Sequence, residues 1–390
     1  MGRLLAPMGL ARGFSFGLWL GLSGLGRTAV AQSGMAPQSE PELGAQAKTD
    51  GLDKPVAPAK DAPTNVIVPL LMYTPETHVG FGALFVRFFR PPPERKEPVS
   101  SFGFFAIGTT RRQAILEAHP DFYFFSGALR LFGKLEFQYF PDSFWGVGPH
   151  TQDEDEERYT RQRFRLKGTS HYRFLGPLWA GLALDVMDYH ATYGEDGIFA
   201  EESFIGEEGG ITTGLGPSAL YDTRDSTVNA HSGTLLSSSF LWFGPPLSEY
   251  TFRKFVIEAR QFFDLGKSHA IGTRFYGEIQ GGNVPYYHLA MLGGDEMLRG
   301  YYYGRYRDET LAAIEAEYRY PVYWKFSGVA FAGAGEVARN VGDLLHEPIR
   351  WAVGGGGRFS LSDEERLNLR LDAGFGIGTW GVYFTAREAF

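Results

Sequence analysis

The chain has 390 residues, with 37 Lys and Arg against 45 Asp and Glu, a net charge of -8 and no cysteine. The lack of cysteine excludes disulfide scaffolds, iron-sulfur clusters, thiolate zinc sites and cysteine nucleophiles. The acidic balance argues against a nucleic-acid partner, because neutralising phosphates needs clustered Lys and Arg. The 33 Phe, 20 Tyr and 7 Trp beside 51 Gly favour β structure with a large aromatic surface.

Residues 1–31 have the features of a cleaved signal peptide. Arg3 and Arg12 precede an apolar run from Phe14 to Leu25, and Ala29-Val30-Ala31 forms a small-x-small cleavage site. The run has about a dozen residues, fewer than the roughly 18 to 20 that a membrane-spanning helix needs. We therefore predict export and cleavage before residue 32, with an uncleaved N-terminal anchor as the alternative.

Residues 32–64 are poor in large apolar side chains and rich in Pro, Ala and charge, which predicts a disordered linker. Residues 65–390 are then the folded domain. No comparable apolar run occurs after residue 31. An exported chain without such a run is either soluble or crosses a membrane as a β-barrel.

From residue 65 onward, apolar and polar side chains alternate with a period of two. Residues 366–375 place Leu367, Leu369 and Leu371 on one face of a strand, opposite Arg366 and Arg370. A polar face of the same kind is formed between residues 161 and 167 by Arg161, Arg163, Arg165 and Lys167.

About sixteen such runs are bounded by turn residues. They are 66–72, 78–90, 99–109, 112–124, 128–140, 158–172, 177–190, 210–221, 233–243, 251–263, 268–280, 309–321, 324–335, 349–361, 365–375 and 378–387. Many are longer than the five or six residues usual in soluble proteins, and they match the roughly nine to eleven that a tilted transmembrane strand needs. The sequence therefore predicts an all-β fold, a transmembrane antiparallel β-barrel of about sixteen strands.

The lengths of the connections support the barrel. The four longest are odd-numbered, at 141–157, 191–209, 281–308 and 336–348, whereas the even-numbered connections are mostly short. Outer-membrane barrels have this alternation of long outer loops and short periplasmic turns. The last residue, Phe390, is the terminal aromatic that such barrels carry for recognition by their assembly machinery.

Four motifs in the order of a known family are found along the domain. They are Tyr221-Asp222-Thr223-Arg224-Asp225, then Leu298-Arg299-Gly300-Tyr301 after Gly293-Gly294, then Glu317-Tyr318-Arg319-Tyr320-Pro321, and finally Gly354-Gly355-Gly356-Gly357-Arg358 with Arg370-Leu371-Asp372. Over residues 65–390 the chain resembles the BamA/TamA superfamily of outer-membrane assembly and translocation barrels, the bacterial surface antigen family. The assembly factors of this superfamily carry periplasmic POTRA domains, and residues 32–64 are too few for one.

The outer loop between the eleventh and twelfth predicted strands contains the Arg-Gly-aromatic motif. A long loop rich in Gly and Tyr gains by folding into the lumen, where its polar groups pair with the wall. Arg299 would then need an acidic partner, and Glu317 lies on the polar face of predicted strand twelve. The resemblance implies a second acidic anchor on strand thirteen, where this chain has Gly333, so a loop held less firmly is expected. The alternative is that Arg299 braces a static plug.

Two other features are candidate sites. Pro69 cannot donate a ladder hydrogen bond in the first strand, and Gly376, Gly378 and Gly381 weaken the last strand that must pair with it. In the resembling superfamily this seam is the proposed lateral gate; the alternative is that Pro69 sits at the unpaired start of an edge. The acidic run 153–157 could hold a divalent cation that bridges lipopolysaccharide, but without a Gly-punctuated ligand pattern a solvated loop is the favoured alternative.

No catalytic motif, metal-ligand spacing or cofactor site is found, so we expect neither an enzyme nor a cofactor. The resemblance implies a function in inserting or moving protein or lipid across the outer membrane of a Gram-negative bacterium. The implied partners are membrane lipid, lipopolysaccharide and the assembly machinery, with Asp222, Arg224 and Asp225 in a periplasmic turn. The alternative is a plugged pore whose Arg-rich lumen prefers anions.

Overall fold

The computed structural model describes residues 64–91, 98–227, 229–362, 366–386 and 388–390. The expected signal peptide and residues 32–63 of the expected linker lie outside these ranges. Thr64, assigned to the linker from the sequence, already belongs to the first strand.

Eighteen strands are found in these ranges, numbered here in chain order. They are β1 (Thr64–Thr74), β2 (His78–Phe89), β3 (Ser100–Thr109), β4 (Ala114–Phe124), β5 (Leu129–Phe144), β6 (Glu157–Leu175), β7 (Leu178–Thr192), β8 (Gly210–Asp222), β9 (Gly233–Phe243), β10 (Phe252–Gly266), β11 (His269–Gly282), β12 (Ala290–Leu292), β13 (Tyr306–Asp308), β14 (Thr310–Tyr323), β15 (Phe326–Ala338), β16 (Arg350–Ser362), β17 (Leu367–Gly376) and β18 (Thr379–Ala386). A four-residue helix, α1, spans Ile198–Glu201, and single 3-10 turns span Asp153–Asp155 and Val341–Asp343.

Sixteen of these strands form one closed antiparallel barrel, which confirms the predicted fold class. Each barrel strand pairs with its neighbours along the chain, β11 pairs with β14, and β18 returns to β1. The remaining two strands, β12 and β13, pair with each other inside the long connection between β11 and β14. This hairpin was not predicted, because strands of three residues are too short to show a period of two.

The barrel is apolar outside and polar inside. On β14, Ile314 is 59% exposed on the outer face, while Glu317 on the inner face is fully buried. Outward Leu, Phe and Trp side chains recur on most of the other barrel strands. An apolar band of this kind is suited to contact with lipid. The polar side chains face the lumen, whereas in a soluble protein the interior is apolar. Among the described residues, no helix is long and apolar enough to span a membrane.

Closure of the barrel is weakest between its first and last strands, a junction that we call the seam. β1 pairs with β2 at every position from Thr64 to Thr74. Across the seam, the described residues share one ladder position, Tyr73 opposite Phe384. The last strand is also short, since the described β18 has 8 residues whereas β6 has 19. The seam is therefore the part of the wall with the fewest backbone hydrogen bonds.

A charge placed on the outer face at mid-strand tests contact with lipid. Leu215, halfway along β8, is 52% exposed, and we expect Leu215→Arg to lower the free energy of unfolding by about 2–4 kcal/mol in lipid. The measurement is denaturant unfolding of the protein refolded into vesicles. Leu247→Arg, in the loop after β9, is the matched control and should cost under about 1 kcal/mol. Equal losses in the two variants would contradict a lipid-facing wall.

Candidate functional site: the lumen loop and the seam

Residues 283–309, between β11 and β14, form what we call the lumen loop. Its β12–β13 hairpin carries a tip that includes Leu298, Arg299 and Tyr301, each no more than 2% exposed. Gly293 and Gly294 follow β12 with positive φ angles, and the Gly294 N–H donates to the carbonyl of Tyr301 at 3.0 Å. This bond folds the tip back on the hairpin and directs the motif into the barrel.

Arg299 binds carboxylates on two separate strands of the barrel wall. Its Nη2 donates to Glu317 Oε2 on β14 at 2.8 Å, and its Nη1 donates to Asp372 Oδ2 on β17 at 2.6 Å. The guanidinium also lies 3.5 Å from the centre of the Phe331 ring on β15. A buried guanidinium needs such charged acceptors, because its desolvation is otherwise uncompensated. The structure thus brings together Arg299 and Glu317, the pair proposed from the sequence.

The second carboxylate comes from β17 rather than from the strand next to β14. A side chain at Gly333 would place its Cβ 2.9 Å from Glu315 Cγ and 3.2 Å from Leu298 Cδ1, so this position makes room for Leu298. The expectation that the loop lacks a second acidic anchor is therefore wrong, since Asp372 takes that place. Arg370-Leu371-Asp372 is among the family-like motifs, but strand pattern alone does not show which lumen residue it meets.

Two glycines allow the motif to lie directly on the backbone of β17. Gly300 has φ near 122°, and a Cβ there would lie 3.0 Å from backbone atoms of β17. A Cβ at Gly374 would lie 2.2 Å from the carbonyl oxygen of Arg299. Any larger residue at either position would push the tip away from the wall. Gly376, expected to weaken the last strand, instead lies in β17 under the ring of Tyr301.

The lumen loop bonds to both sides of the seam from within. The Gly300 N–H donates to Tyr383 Oη of β18 at 2.9 Å, and Thr379 Oγ1 of β18 donates to the carbonyl of Gly300 at 2.9 Å. On the other side, the Tyr303 N–H donates to Glu76 Oε1, in the turn between β1 and β2, at 2.8 Å. The loop therefore spans a junction that the strand ladder joins at one position among the described residues.

The seam residues named from the sequence lie in different places. Pro69 is exposed near the middle of β1 and faces Ala83 of β2 in the register. Gly381 lies in β18, where a Cβ would come 3.1 Å from Pro75 in the β1–β2 turn. Gly378, expected in the last strand, lies in the tight turn before it with φ near 70°. The turn geometry explains this glycine, so it does not weaken the ladder.

The carboxylates that hold Arg299 are themselves paired with further arginines. Glu317 Oε1 accepts from Arg319 Nε at 2.8 Å, and Asp372 Oδ1 accepts from Arg358 Nη1 at 2.5 Å. All five groups are at most 5% exposed. The result is a buried network of alternating charges across the lumen, which we call the lumen network.

The predicted periplasmic turn motif is linked to the turn between β16 and β17. Asp222 binds Arg224 through both carboxylate oxygens, at 3.0 and 2.8 Å. Asp225 accepts from Arg366, in the β16–β17 turn, at 2.5 Å. Phe390, the proposed assembly signal, is 6% exposed inside the barrel, where Arg319 Nη2 donates to its carbonyl at 3.0 Å.

The Arg-rich stripe on β6 is largely neutralised. Arg161, Arg163 and Arg165 contact Asp142, Glu136 and Asp185 at 2.9, 2.5 and 2.5 Å. A lumen cavity of about 700 Å³ remains, lined by Lys167 among other residues of both charges. Within the described ranges, no group of His, Asp and Glu side chains could hold a metal ion, and the acidic run 153–157 carries Asp153 paired with Arg305 at 2.8 Å.

The model of the Omp85 superfamily domain matches residues 108–377, which is more than half of the chain. The chain belongs to the Omp85 superfamily. This confirms the resemblance to BamA/TamA barrels and implies a location in the outer membrane of a Gram-negative bacterium. Among curated proteins, a search found no significant match.

Solved structures agree on the fold at low sequence identity. BamA from Haemophilus ducreyi lacking POTRA domains 1–3 matches with a TM-score of 0.58 and 13% identity, over 84% of this chain and 70% of that one. CdiB from Acinetobacter baumannii matches with a TM-score of 0.53 and 10% identity, over 84% of this chain and 60% of that one. CdiB from Escherichia coli matches with a TM-score of 0.52 and 11% identity, over 82% of this chain and 62% of that one. This chain thus spans 60–70% of the length of these relatives.

Substitution of Arg299 should loosen the lumen loop without unfolding the barrel. Lys keeps the charge, but one ammonium cannot span Glu317 and Asp372 as two guanidinium nitrogens do. We expect Arg299→Lys to lower the free energy of loop opening by about 1.5–3 kcal/mol, roughly a tenfold to hundredfold faster exchange of the Gly300 N–H. The measurement is hydrogen exchange in detergent micelles.

Arg305→Lys is the matched control, because Arg305 is in the same loop but pairs at the rim with the exposed Asp153. It should change this exchange less than about threefold. If the two variants behave alike, Arg299 does not anchor the tip.

The Glu76 carboxyl makes the loop contact at the seam sensitive to pH. Burial raises its pKa from 4.5 to about 7, an effect only partly offset by the hydrogen bond from Tyr303. Between these values this carboxyl binds more protons in the folded protein than in the unfolded chain, so its contribution to stability is complete below pH 4.5 and is lost as pH rises through 7. We expect Glu76→Gln to abolish a decline of about 3 kcal/mol, measured as the free energy of unfolding from pH 4.5 to 8.

The exposed loop carboxyl Glu154 controls for the loss of one charge, and Glu154→Gln should leave the decline in place. A Glu76→Gln protein with the wild-type pH slope would show that this carboxyl does not control the contact.

Proposed function

We propose that this barrel assists the insertion or passage of polypeptide at the outer membrane, and that the seam is where a substrate strand pairs with it. The observation that carries the proposal is that the described parts of β1 and β18 share a single ladder position. Membership of the Omp85 superfamily supports an assembly or translocation barrel, and members of this superfamily are transporters and assembly factors rather than enzymes.

The edge of β1 has the chemistry that an incoming strand needs. On the seam side, residues 64–72 have no ladder partner among the described residues, so this stretch of the β1 edge offers N–H and C=O groups to a further strand. In lipid such groups cost several kcal/mol each unless they are paired. A partly folded substrate strand could satisfy them by adding to the sheet edge.

In this proposal the lumen loop controls whether a substrate strand can reach the edge of β1. The bonds from Gly300 to Tyr383 and from Tyr303 to Glu76 hold the two sides of the seam near each other from within. Release of the tip would leave one ladder position to hold them. A cleaved signal peptide over residues 1–31, a linker up to residue 63, and contact with lipopolysaccharide and the assembly machinery complete the proposal.

A plugged pore is the second candidate, and the 700 Å³ lumen cavity favours it. Pairing of Arg161, Arg163 and Arg165 with carboxylates leaves Lys167 to supply an anion preference. In a planar bilayer, a pore should conduct steadily, and deletion of residues 293–304 should widen it. Absence of conductance together with faster folding of other barrels into vesicles would exclude the pore.

A disulfide across the seam tests the proposal directly, because the chain has no native cysteine. Tyr73→Cys with Phe384→Cys places two thiols at the one paired position. We expect oxidation to reduce the acceleration of barrel folding in vesicles by at least tenfold, and reductant to restore it.

Leu71→Cys with Phe81→Cys is the matched control, since these residues face each other across the fully paired β1–β2 ladder. Its oxidation should leave the activity within about twofold of the reduced form. Full activity of the oxidised seam variant would refute strand entry at the seam.

A further inference from the structure

The last three residues leave the wall of the barrel. β18 ends at Ala386, and Glu388, Ala389 and Phe390 are at most 6% exposed inside the lumen. In the register that pairs Tyr73 with Phe384, a continued β18 would set residues 388–390 beside residues 69–67 of β1. The tail gives up those ladder bonds, so its contacts in the lumen must compensate for them.

Glu388 occupies a site built for a carboxylate. Arg358 Nε donates to Glu388 Oε2 at 2.6 Å, and Asn368 Nδ2 donates to Glu388 Oε1 at 2.8 Å. Both donors are at most 8% exposed, and they come from adjacent strands, β16 and β17. Two buried donors on one buried carboxylate give a strong, charge-assisted contact.

Phe390 occupies an adjoining site for an aromatic side chain. Its ring lies 6.4 Å from that of Phe262 and packs in one cluster with Ala230. Gly272 makes room for it, since a Cβ there would come 3.2 Å from the Phe390 ring. Arg319 Nη2 donates to the backbone oxygen of Phe390 at 3.0 Å and so holds the end of the tail beside this site.

We propose that this pocket is a peptide-binding site, and that residues 388–390 are its resident ligand. The ligand class is a polypeptide segment with an acidic residue two positions before an aromatic one, read by Arg358 and Asn368 at one end and by Phe262 at the other. The pocket opens on the 700 Å³ cavity, which Glu388 and Phe390 both line, so a second segment has a route to it. This peptide-binding site goes beyond the proposed function, because it does not depend on which substrate enters at the seam.

The pocket shares its arginines with the lumen network. Arg319 bonds to Glu317, and Arg358 bonds to Asp372, the two carboxylates that hold Arg299. A ligand that displaces the tail must therefore bind the same two arginines, and the displaced tail becomes free to extend along β1. Peptide binding and the state of the seam are linked through this exchange.

The test uses the full chain with Glu388→Gln and Phe390→Ala, which weakens the resident tail. The probe is a dye-labelled peptide with the sequence of residues 385–390, titrated in detergent micelles and followed by fluorescence anisotropy. We expect the variant to bind the probe at least tenfold more tightly than the wild-type chain, whose own tail competes. Probes in which Gln replaces the Glu, or Ala replaces the Phe, should bind at least tenfold more weakly.

Phe262→Ala, added to the variant, should lower probe affinity by at least tenfold. Phe263→Ala is the matched control, because Phe263 is the next residue on β10 and is 49% exposed on the outer face. If the double variant fails to fold, the titration is made with a chain that ends at residue 387. Equal binding by wild type and variant, or binding that ignores the Phe262 substitution, would overturn the proposal and leave the tail as a structural element only.

Discussion

The buried guanidinium of Arg299 is the constraint on which the interior of this barrel depends. A charge with 1% exposure is tolerated only when acceptors surround it, and here Glu317 and Asp372 come from different parts of the wall. Two carboxylates around one cation leave an excess of negative charge. Arg319 and Arg358 more than offset that single charge, and Glu388, which pairs with Arg358, brings the sum of these six groups to zero. This is why the network extends across the lumen.

This network determines how the barrel closes. Because Arg299 is held on β14 and β17, the residues that follow it are carried to the seam, where Gly300 meets Tyr383 and Tyr303 meets Glu76. Closure by ladder bonds alone would require β18 to run beside β1 along its length. The last three residues lie inside the lumen instead, so within the described residues the seam is joined by one ladder position and by the lumen loop.

Much of the fold could be predicted because lipid and lumen impose a period of two on every strand. The sixteen runs correspond to the sixteen barrel strands, and the inward positions on β14 follow the alternation of Glu315, Glu317 and Arg319. The pairing of Arg299 with Glu317 could be proposed for the same reason, since strand alternation places Glu317 inside. The β12–β13 hairpin and the place of Gly378 could not, because turns and very short strands have no periodicity.

The sequence by itself determined the class of fold, the two faces of each strand and the residue that needed a buried acidic partner. Only the tertiary structure showed that Asp372 is the second acidic partner, because it is 73 residues from Arg299 and its place depends on how the barrel closes. The same holds for Glu76 at the seam, for the carboxylates along β6 and for Phe390 inside the lumen. The alternation along a strand predicts that a side chain points into the lumen. Which residue it contacts there is determined by the strand register and by where the loops and the tail fold.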